Sequence, residues 1–376
     1  MIKIFLVIGT RPEAIKLAPL IKAFKKYSKI FDTKVCITAQ HRELLDQVLS
    51  FFKISPDYDL NLMKPNQNLY EITANILLKM KPILKKNNPQ YIFVHGDTTT
   101  TLAASLASFY NESKICHIEA GLRTYNKKSP FPEEMNRQIT TRLADYHFAP
   151  TEESKNNLIN ENINKENIII TGNTVIDALI ASIKKVKNNP SSNIKNLSKD
   201  LKDREVVLVT FHRRENYGDG FIRICEALKE IALKNPNRII VFPVHLNPKV
   251  QKPVNNFLSD IKNIILLDPL NYEDFIWMMN RSKLIITDSG GIQEEAPSLG
   301  KPVLVLRETT ERPEAVKAGT VLLVGTNKNL IIKETLELLN DASRYKKISR
   351  LYNPYGDGKA CKRIIDFIIK LENIKN

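Results

Sequence analysis

Three carboxylates stand where apolar runs of this chain give out, and they are the residues best suited to proton transfer. Asp97 follows the run Tyr91 to His95 in His-Gly-Asp-Thr-Thr-Thr-Thr, Glu119 closes the run Lys114 to Glu119, and Glu133 opens a helical stretch in Pro-Glu-Glu-Met-Asn-Arg. Plainer roles exist for two of them: Asp97 as a helix N-cap, and Glu133 as a first-turn carboxylate paired with Arg137 four residues on. Glu119 resists a plain role, because an acid ending an apolar strand is costly to bury unless it is paired or used. Carboxylates gathered in one place have their pKa values pushed apart, which supplies an acid and a base at one pH.

A second group of residues suits an anion. The apolar run Leu284 to Ile286 ends in Thr287-Asp288-Ser289-Gly290-Gly291, and a helical pattern begins at Ile292 and stops before Gly300-Lys301-Pro302. A strand, a glycine turn and a helix N-terminus leave unpartnered N–H groups facing a ligand that can approach closely, and a diphosphate fits. Glu294 and Glu295, one turn into the helix, are placed to accept from a ribose diol, and Arg307 and Arg312 follow the next strand. An ordinary turn whose acids complement the helix dipole is the plainer alternative. His212-Arg213-Arg214 follows the run Val206 to Thr210, and His245-Leu246-Asn247-Pro248 follows Ile239 to Val244. Histidine and arginine there would stabilise a diphosphate as it departs. Gly9-Thr10-Arg11-Pro12-Glu13-Ala14-Ile15-Lys16 closes the first strand without the spacing of a dinucleotide-binding turn, and sets Arg11 and Lys16 about one helical turn apart.

Alternating strands and helices must position these groups. The first half reads as strands at Ile4 to Ile8, Lys34 to Thr38, Tyr91 to His95, Lys114 to Glu119, Tyr146 to Ala149 and Asn167 to Ile170, separated by helices. A second series follows at Val206 to Thr210, Ile239 to Val244, Ile264 to Leu266, Leu284 to Ile286 and Val303 to Leu306. That rhythm predicts an α/β fold of two doubly wound, Rossmann-like domains facing a central cleft, with ligands at the carboxyl ends of the strands. The expected domains are residues 1–172 and 173–358, with a last helix, 359–376, packing back on the first. The polar segment 186–204 reads as a surface loop or short helix. At 376 residues and 43% hydrophobic content the chain can bury two cores.

The net charge of +15 comes from dispersed lysines without an aromatic-interleaved patch, so nucleic acid is not an expected partner. No apolar run approaches the roughly 18 residues of a membrane span, and the first residues read as a strand rather than a leader, which predicts a cytoplasmic protein. Cys36, Cys116, Cys225 and Cys361 show no paired spacing, so neither a zinc site nor a disulfide framework is expected.

The segments GTRPEAIKLAPL, TAQHRELLDQVL, VHGDTTTT, HIEAGLRT, FPEEMNR, TGNTVIDAL, HRREN, PVHLNP, TDSGGIQEEAPSLGKPVLVLRETTERPEAV and NPYGDG, in that order, resemble the bacterial non-hydrolysing UDP-N-acetylglucosamine 2-epimerases. The resemblance implies the GT-B fold, a homodimer, a final helix crossing back to the first domain, and no redox cofactor or metal. It implies interconversion of UDP-N-acetylglucosamine and UDP-N-acetylmannosamine, a precursor for surface polysaccharide, by elimination of UDP to 2-acetamidoglucal and re-addition. On that resemblance Asp97, Glu119 and Glu133 form the acid/base set, with the individual proton transfers unassigned. His212, Lys16, Arg11 and Arg213 handle the diphosphate, Ser289, Gly290 and Gly291 the phosphates, and Glu295 the ribose. Arg137, His245, Asn247 and Arg312 complete the substrate contacts. Glu43 and Asn66 depart from a second, activating UDP-sugar site of some relatives, whereas Glu134 and His245 keep its pattern, and Tyr125 stands where relatives carry glycine. A hydrolysing epimerase, an epimerase of a modified UDP-sugar, a GT-B glycosyltransferase and a non-catalytic nucleotide-sugar binder are the rival readings.

Overall fold

Apolar runs with no polar face can be satisfied only where both faces are covered, and these runs become the central strands of parallel sheets. The structure is a computed structural model that describes residues 1–39, 42–62 and 67–374, without the side chains of Arg42 and Glu43. Asn66 therefore lies outside the described residues, as does the Glu43 side chain.

The described residues divide into two compact units, Met1–Ala178 with Tyr355–Asn376, and Leu179–Pro354. The first holds seven parallel strands: β1 (Ile2–Ile8), β2 (Phe31–Ile37), β3 (Tyr58–Asp59), β4 (Tyr91–His95), β5 (Lys114–Ile118), β6 (Tyr146–Ala149) and β7 (Ile168–Ile170). Their order is β3-β2-β1-β4-β5-β6-β7. The chain thus reverses its direction of travel between β1 and β4, which makes the ends of those strands the topological switch point. Phe5, Phe24, Phe93 and Phe148 fill the layers around this sheet.

The second unit holds β8 (Val206–Thr210), β9 (Ile239–Pro243), β10 (Ile264–Leu267), β11 (Leu284–Thr287), β12 (Val303–Val305) and β13 (Val321–Leu323), ordered β10-β9-β8-β11-β12-β13. Its switch point lies between β8 and β11. Phe211 packs on Phe221 and Phe242, with ring centroids 4.5 and 4.8 Å apart, beneath that point.

The chain returns to the first unit by backbone-level contacts. Gly172 adopts φ +83°, and a Cβ there would stand 3.2 Å from both Gly356 Cα and the Tyr355 carbonyl. Gly172 therefore marks the close approach of the returning chain, and the division between units falls six residues later, inside the helix Thr174–Asn188. Asn173 N–H donates to the Tyr355 carbonyl (2.7 Å), and Asp177 accepts from the amides of Ala360 (3.1 Å) and Cys361 (3.0 Å) at the start of the helix Ala360–Leu371.

Sequence periodicity misses β3 and β13, two and three residues long, and the helices Glu152–Asn160, Pro248–Leu258, Pro313–Lys317, Lys328–Asn340 and Ala342–Ser349. The polar segment after Asn188 contains a helix, Ser192–Leu201, that buries only Ile194 and Leu201 and is capped by Ser191. All four cysteines are buried and outside any disulfide. No helix of the described residues is long and apolar enough to cross a membrane.

Candidate functional site

In the first unit the polar residues gather around the β1/β4 switch point. Glu119 follows the last residue of β5 and adopts φ +62°, an uncommon conformation for a residue with a side chain. Its side chain is 8% exposed. Lys16, from the helix Arg11–Lys26, forms an ion pair with Oε2, and Asn173 Nδ2 donates to the same oxygen at 2.8 Å. His95 Nε2, at the end of β4, lies 3.6 Å away. Burial pushes His95 down to about 4, with Glu119 opposing and Lys16 assisting. The ring is therefore neutral at neutral pH.

Asp97 lies one turn from His95 and is gripped by Arg137, whose Nε and Nη2 approach Oδ2 at 2.9 and 2.7 Å. Asn136 Nδ2 donates to the Asp97 carbonyl (2.8 Å). The helix Thr99–Tyr110 is capped by Thr98, whose hydroxyl accepts from Thr101 N–H, so the N-cap role open to Asp97 belongs to its neighbour. Likewise Arg137 pairs with Glu134 (3.1 Å), three residues back and on its own side of the helix, rather than with Glu133. Glu133 is half-buried, and its side chain makes no hydrogen bond or ion pair among the described residues. Asp97 and Glu119 are thus each held by a cation, whereas the Glu133 side chain has no such partner among the described residues.

Glu134 is fully buried and accepts from the amides of Thr124 (3.0 Å) and Tyr125 (3.2 Å), from Gln138 (2.9 Å) and from Arg137. Burial alone would raise its pKa, but these donors outweigh it and hold the carboxyl below the usual range. Tyr125 adopts φ +58° and its hydroxyl reaches Asn157 at 3.1 Å. Arg11 opens its helix half-buried and with interactions of its own.

Two further participants, Glu13 and His117, are not singled out from the sequence. Glu13 is 2% exposed and accepts from Gly9 N (3.0 Å), Thr10 N (2.6 Å), and the hydroxyls of Thr10 (2.8 Å) and Thr98 (2.8 Å), tying the turn after β1 to the turn after β4. Its signature was the Thr-x-x-Glu capping box at Thr10. His117 Nε2 bonds the Gly96 carbonyl at 2.7 Å and so fixes the peptide between His95 and Asp97. Only three-dimensional contact identifies it.

In the second unit Asp288, fully buried after β11, organises the turn after β8. Its Oδ2 accepts from the amides of His212 (2.9 Å) and Arg213 (2.8 Å) and from Asn216 Nδ2 (3.3 Å). His212 stacks on His245, ring centroids 5.0 Å apart at 9°. Burial lowers the His212 pKa, Asp288 opposes this, and His245 and Arg213 add to the lowering. His245 Nδ1 accepts from Asn247 N–H (3.1 Å), while the Asn247 side chain caps the helix Pro248–Leu258 and donates to the Tyr217 hydroxyl (3.2 Å).

Both glycines of the expected turn lie within the short helix Gly290–Glu295, which continues as the 3-10 turn Ala296–Leu299 and ends at Gly300 (φ +65°). The helix therefore begins two residues earlier than its apolar pattern indicates, because glycine carries no hydrophobic signal. A Cβ on Gly290 would stand 3.8 Å from the Arg312 guanidinium, and one on Gly291 would stand 3.6 Å from Glu295 Oε1. Arg312 pairs with Glu294, and the Ser289 amide donates to the Thr287 hydroxyl (3.0 Å). Arg213 and Arg307 approach Glu311 at 3.7 and 3.5 Å; burial raises its pKa but Arg213, Arg307 and Arg312 together lower it. Arg307, 7% exposed, also donates to Glu215 (2.8 Å) and keeps a buried Nη1 without a partner. Among the described residues no group of three or more His, Cys, Asp or Glu could hold a metal ion.

Two all-parallel, doubly wound units, each with its polar residues at its own switch point, define a GT-B-like α/β protein. Residues 22–369 match the family model described as UDP-N-acetylglucosamine 2-epimerase, and the chain belongs to that family. A UDP-N-acetylglucosamine 2-epimerase of Campylobacter jejuni is 57% identical, with 99% of this chain and 98% of that protein covered. The crystal structure of UDP-GlcNAc 2-epimerase from Neisseria meningitidis bound to UDP-GlcNAc is 52% identical with a TM-score of 0.87, covering 98% of this chain and 100% of that one. A putative UDP-N-acetylglucosamine 2-epimerase from Listeria monocytogenes is 46% identical with a TM-score of 0.93, covering 100% and 98%.

Proposed function

We propose that the protein interconverts UDP-N-acetylglucosamine and UDP-N-acetylmannosamine without net hydrolysis. The observation that carries this reading is the pair of carboxylates on neighbouring strand ends, Glu119 held by Lys16 and Asp97 held by Arg137. The ligand named for the Neisseria relative supports the substrate. C2 of the sugar is not adjacent to a carbonyl, so its hydrogen is too weakly acidic for simple deprotonation. Elimination solves this: a carboxylate takes the C2 proton, the C–H electrons form the C1=C2 bond, and the C1–O bond breaks with its electron pair leaving on UDP. The reverse addition returns UDP to C1 on the face it left and a proton to C2 on the opposite face, inverting C2 alone and giving the epimer.

In this reading the first unit serves the sugar, with Asp97, Glu119 and Glu133 as the acid/base set and Arg137 positioning Asp97. The second unit serves UDP through Ser289, Gly290, Gly291, Arg213, Arg312, His245 and Asn247, with Glu295 on the ribose and Arg11 and Lys16 adding charge at the diphosphate. His212 acts there on the departing diphosphate. The buried, unpartnered Arg307 nitrogen supports an anion in the same unit. We place the enzyme in the cytoplasm, where nucleotide sugars are used, and as a homodimer. Tyr70, Leu78, Phe109 and Tyr110, exposed on the packed helices Leu69–Asn87 and Thr99–Tyr110, support a second copy. Purified protein supplied with UDP-N-acetylglucosamine should give UDP-N-acetylmannosamine as the accumulating product by ion-exchange chromatography. Free N-acetylmannosamine with stoichiometric UDP would instead establish the hydrolysing reaction.

A further inference from the structure

The end of β4 carries a buried group that the reading above leaves unused. His95 is 3% exposed, and its Nε2 has no hydrogen-bond partner although it faces Glu119 Oε2 at 3.6 Å. An N–H at Nε2 would be expected to donate to that oxygen, so the missing bond favours the tautomer with its hydrogen on Nδ1. A neutral ring with its hydrogen on Nδ1 presents a lone pair at Nε2, and a lone pair facing a carboxylate oxygen gains nothing. It gains a hydrogen bond only when that oxygen carries a proton. The opposite state is already provided for: Lys16 and Asn173 both donate to Oε2 when Glu119 is ionised.

We infer that His95 is a positioning residue for proton transfer, accepting at Nε2 the hydrogen of the Glu119 carboxylic acid once that carboxylate has taken a proton from the substrate. The inference rests on Glu119 handling the C2 proton. In the step, the C2–H bond breaks, an O–H bond forms on Glu119, and that O–H donates to Nε2. No proton passes to the imidazole, so His95 stays neutral throughout. Lys16 must give up Oε2 as the proton arrives, and a diphosphate competing for its ammonium would draw it away. The carboxyl then needs only a small rotation to bring oxygen and nitrogen from 3.6 Å into hydrogen-bond range. The ionised and protonated forms of Glu119 thus have different partners, and neither form is left buried and unsatisfied.

The groups facing His95 from the packed elements are Glu119 after β5, Lys16 from the helix Arg11–Lys26 and His117 on β5. His117 is itself pushed down to about 4 by burial, so neither imidazole contributes charge at neutral pH. Its bond to the Gly96 carbonyl holds the peptide that joins His95 to Asp97.

His95→Gln tests the inference, because its amide can turn its NH2 toward Oε2 and favour the ionised carboxylate. With 13C-labelled glutamate, and Glu119 assigned through Glu119→Gln, the Glu119 carboxyl should titrate at a lower pH in His95→Gln than in the parent. Turnover should fall about tenfold with KM within about twofold, the signature of a lost interaction confined to the protonated state. A Glu119 titration identical in the two proteins would overturn the inference. Should His95→Gln fail to fold, 15N-histidine spectra of the unaltered protein decide: Nε2 must be the unprotonated nitrogen at neutral pH and must respond as Glu119 titrates. An N–H at Nε2 would refute it. Both titrations are made without substrate, so they stand whether or not the protein proves to be an epimerase, which product analysis decides separately.

Discussion

Glu119 combines a left-handed backbone with a side chain that is 8% exposed, and each of these would be unfavourable without the neighbours around it. The backbone alone costs on the order of 1–3 kcal/mol, a burden that persists only where surrounding contacts fix the conformation. Lys16, from the helix Arg11–Lys26, and Asn173, just before the helix Thr174–Asn188, supply those contacts. That an acid closing the β5 run must be paired or used was legible from its position. Its partner was not, because Lys16 is 103 residues away and only the folded sheet brings the two together. The same holds for Arg137, which local spacing assigns to Glu133 but which the fold turns toward Asp97, 40 residues off. Replacing either carboxylate by its amide keeps the shape and removes the proton acceptor. Asp97→Asn and Glu119→Gln should each lower kcat by about two orders of magnitude or more in a steady-state assay of epimer formation. Near-parent rates in both variants would remove these residues from the acid/base set.

Loops at the carboxyl ends of β4 and β5 place the candidate groups, and a single buried acid holds the longer one. Glu134 binds the Thr124 and Tyr125 amides midway between Glu119 and Glu133, so the loop's shape depends on a carboxylate that touches no substrate in the proposed mechanism. Glu134→Gln would turn one acceptor into a donor facing backbone N–H groups. The expected result is a loss of about 1–3 kcal/mol of stability in denaturant unfolding, with faster hydrogen exchange at Thr124 and Tyr125. Unchanged exchange at those two amides would show that the loop is held by other means. At this scale the sequence was most informative where apolar runs were long, since β1, β4, β5, β8 and β11 are covered on both faces. It was silent on β3 and β13, which are too short to show a pattern, and on the start of the helix at Gly290.

Across the molecule, three histidines on adjacent strands tie stability to pH. His95 and His117 are pushed down to about 4 and His147 to about 3, in each case chiefly by burial. Their folded values lie below the unfolded value of 6.5, so an unfolded chain takes up protons that the folded chain refuses. Stability is fully present above 6.5 and is lost as pH falls toward the folded values. With all three contributing, the slope reaches up to about 4 kcal/mol per pH unit. The guanidinium midpoint should therefore fall steeply as pH drops from 6.5 toward 4.5, and a flat midpoint there would mean that these rings are not buried neutral. The central claim, that a carboxylate removes and another group restores the hydrogen at C2, is tested most directly by a proton-NMR time course in deuterium oxide with UDP-N-acetylglucosamine and no added NAD or metal. The C2 proton signal should disappear, and deuterium should be found at C2 of the UDP-N-acetylmannosamine formed. Epimer formed with its original C2 hydrogen retained would contradict the claim.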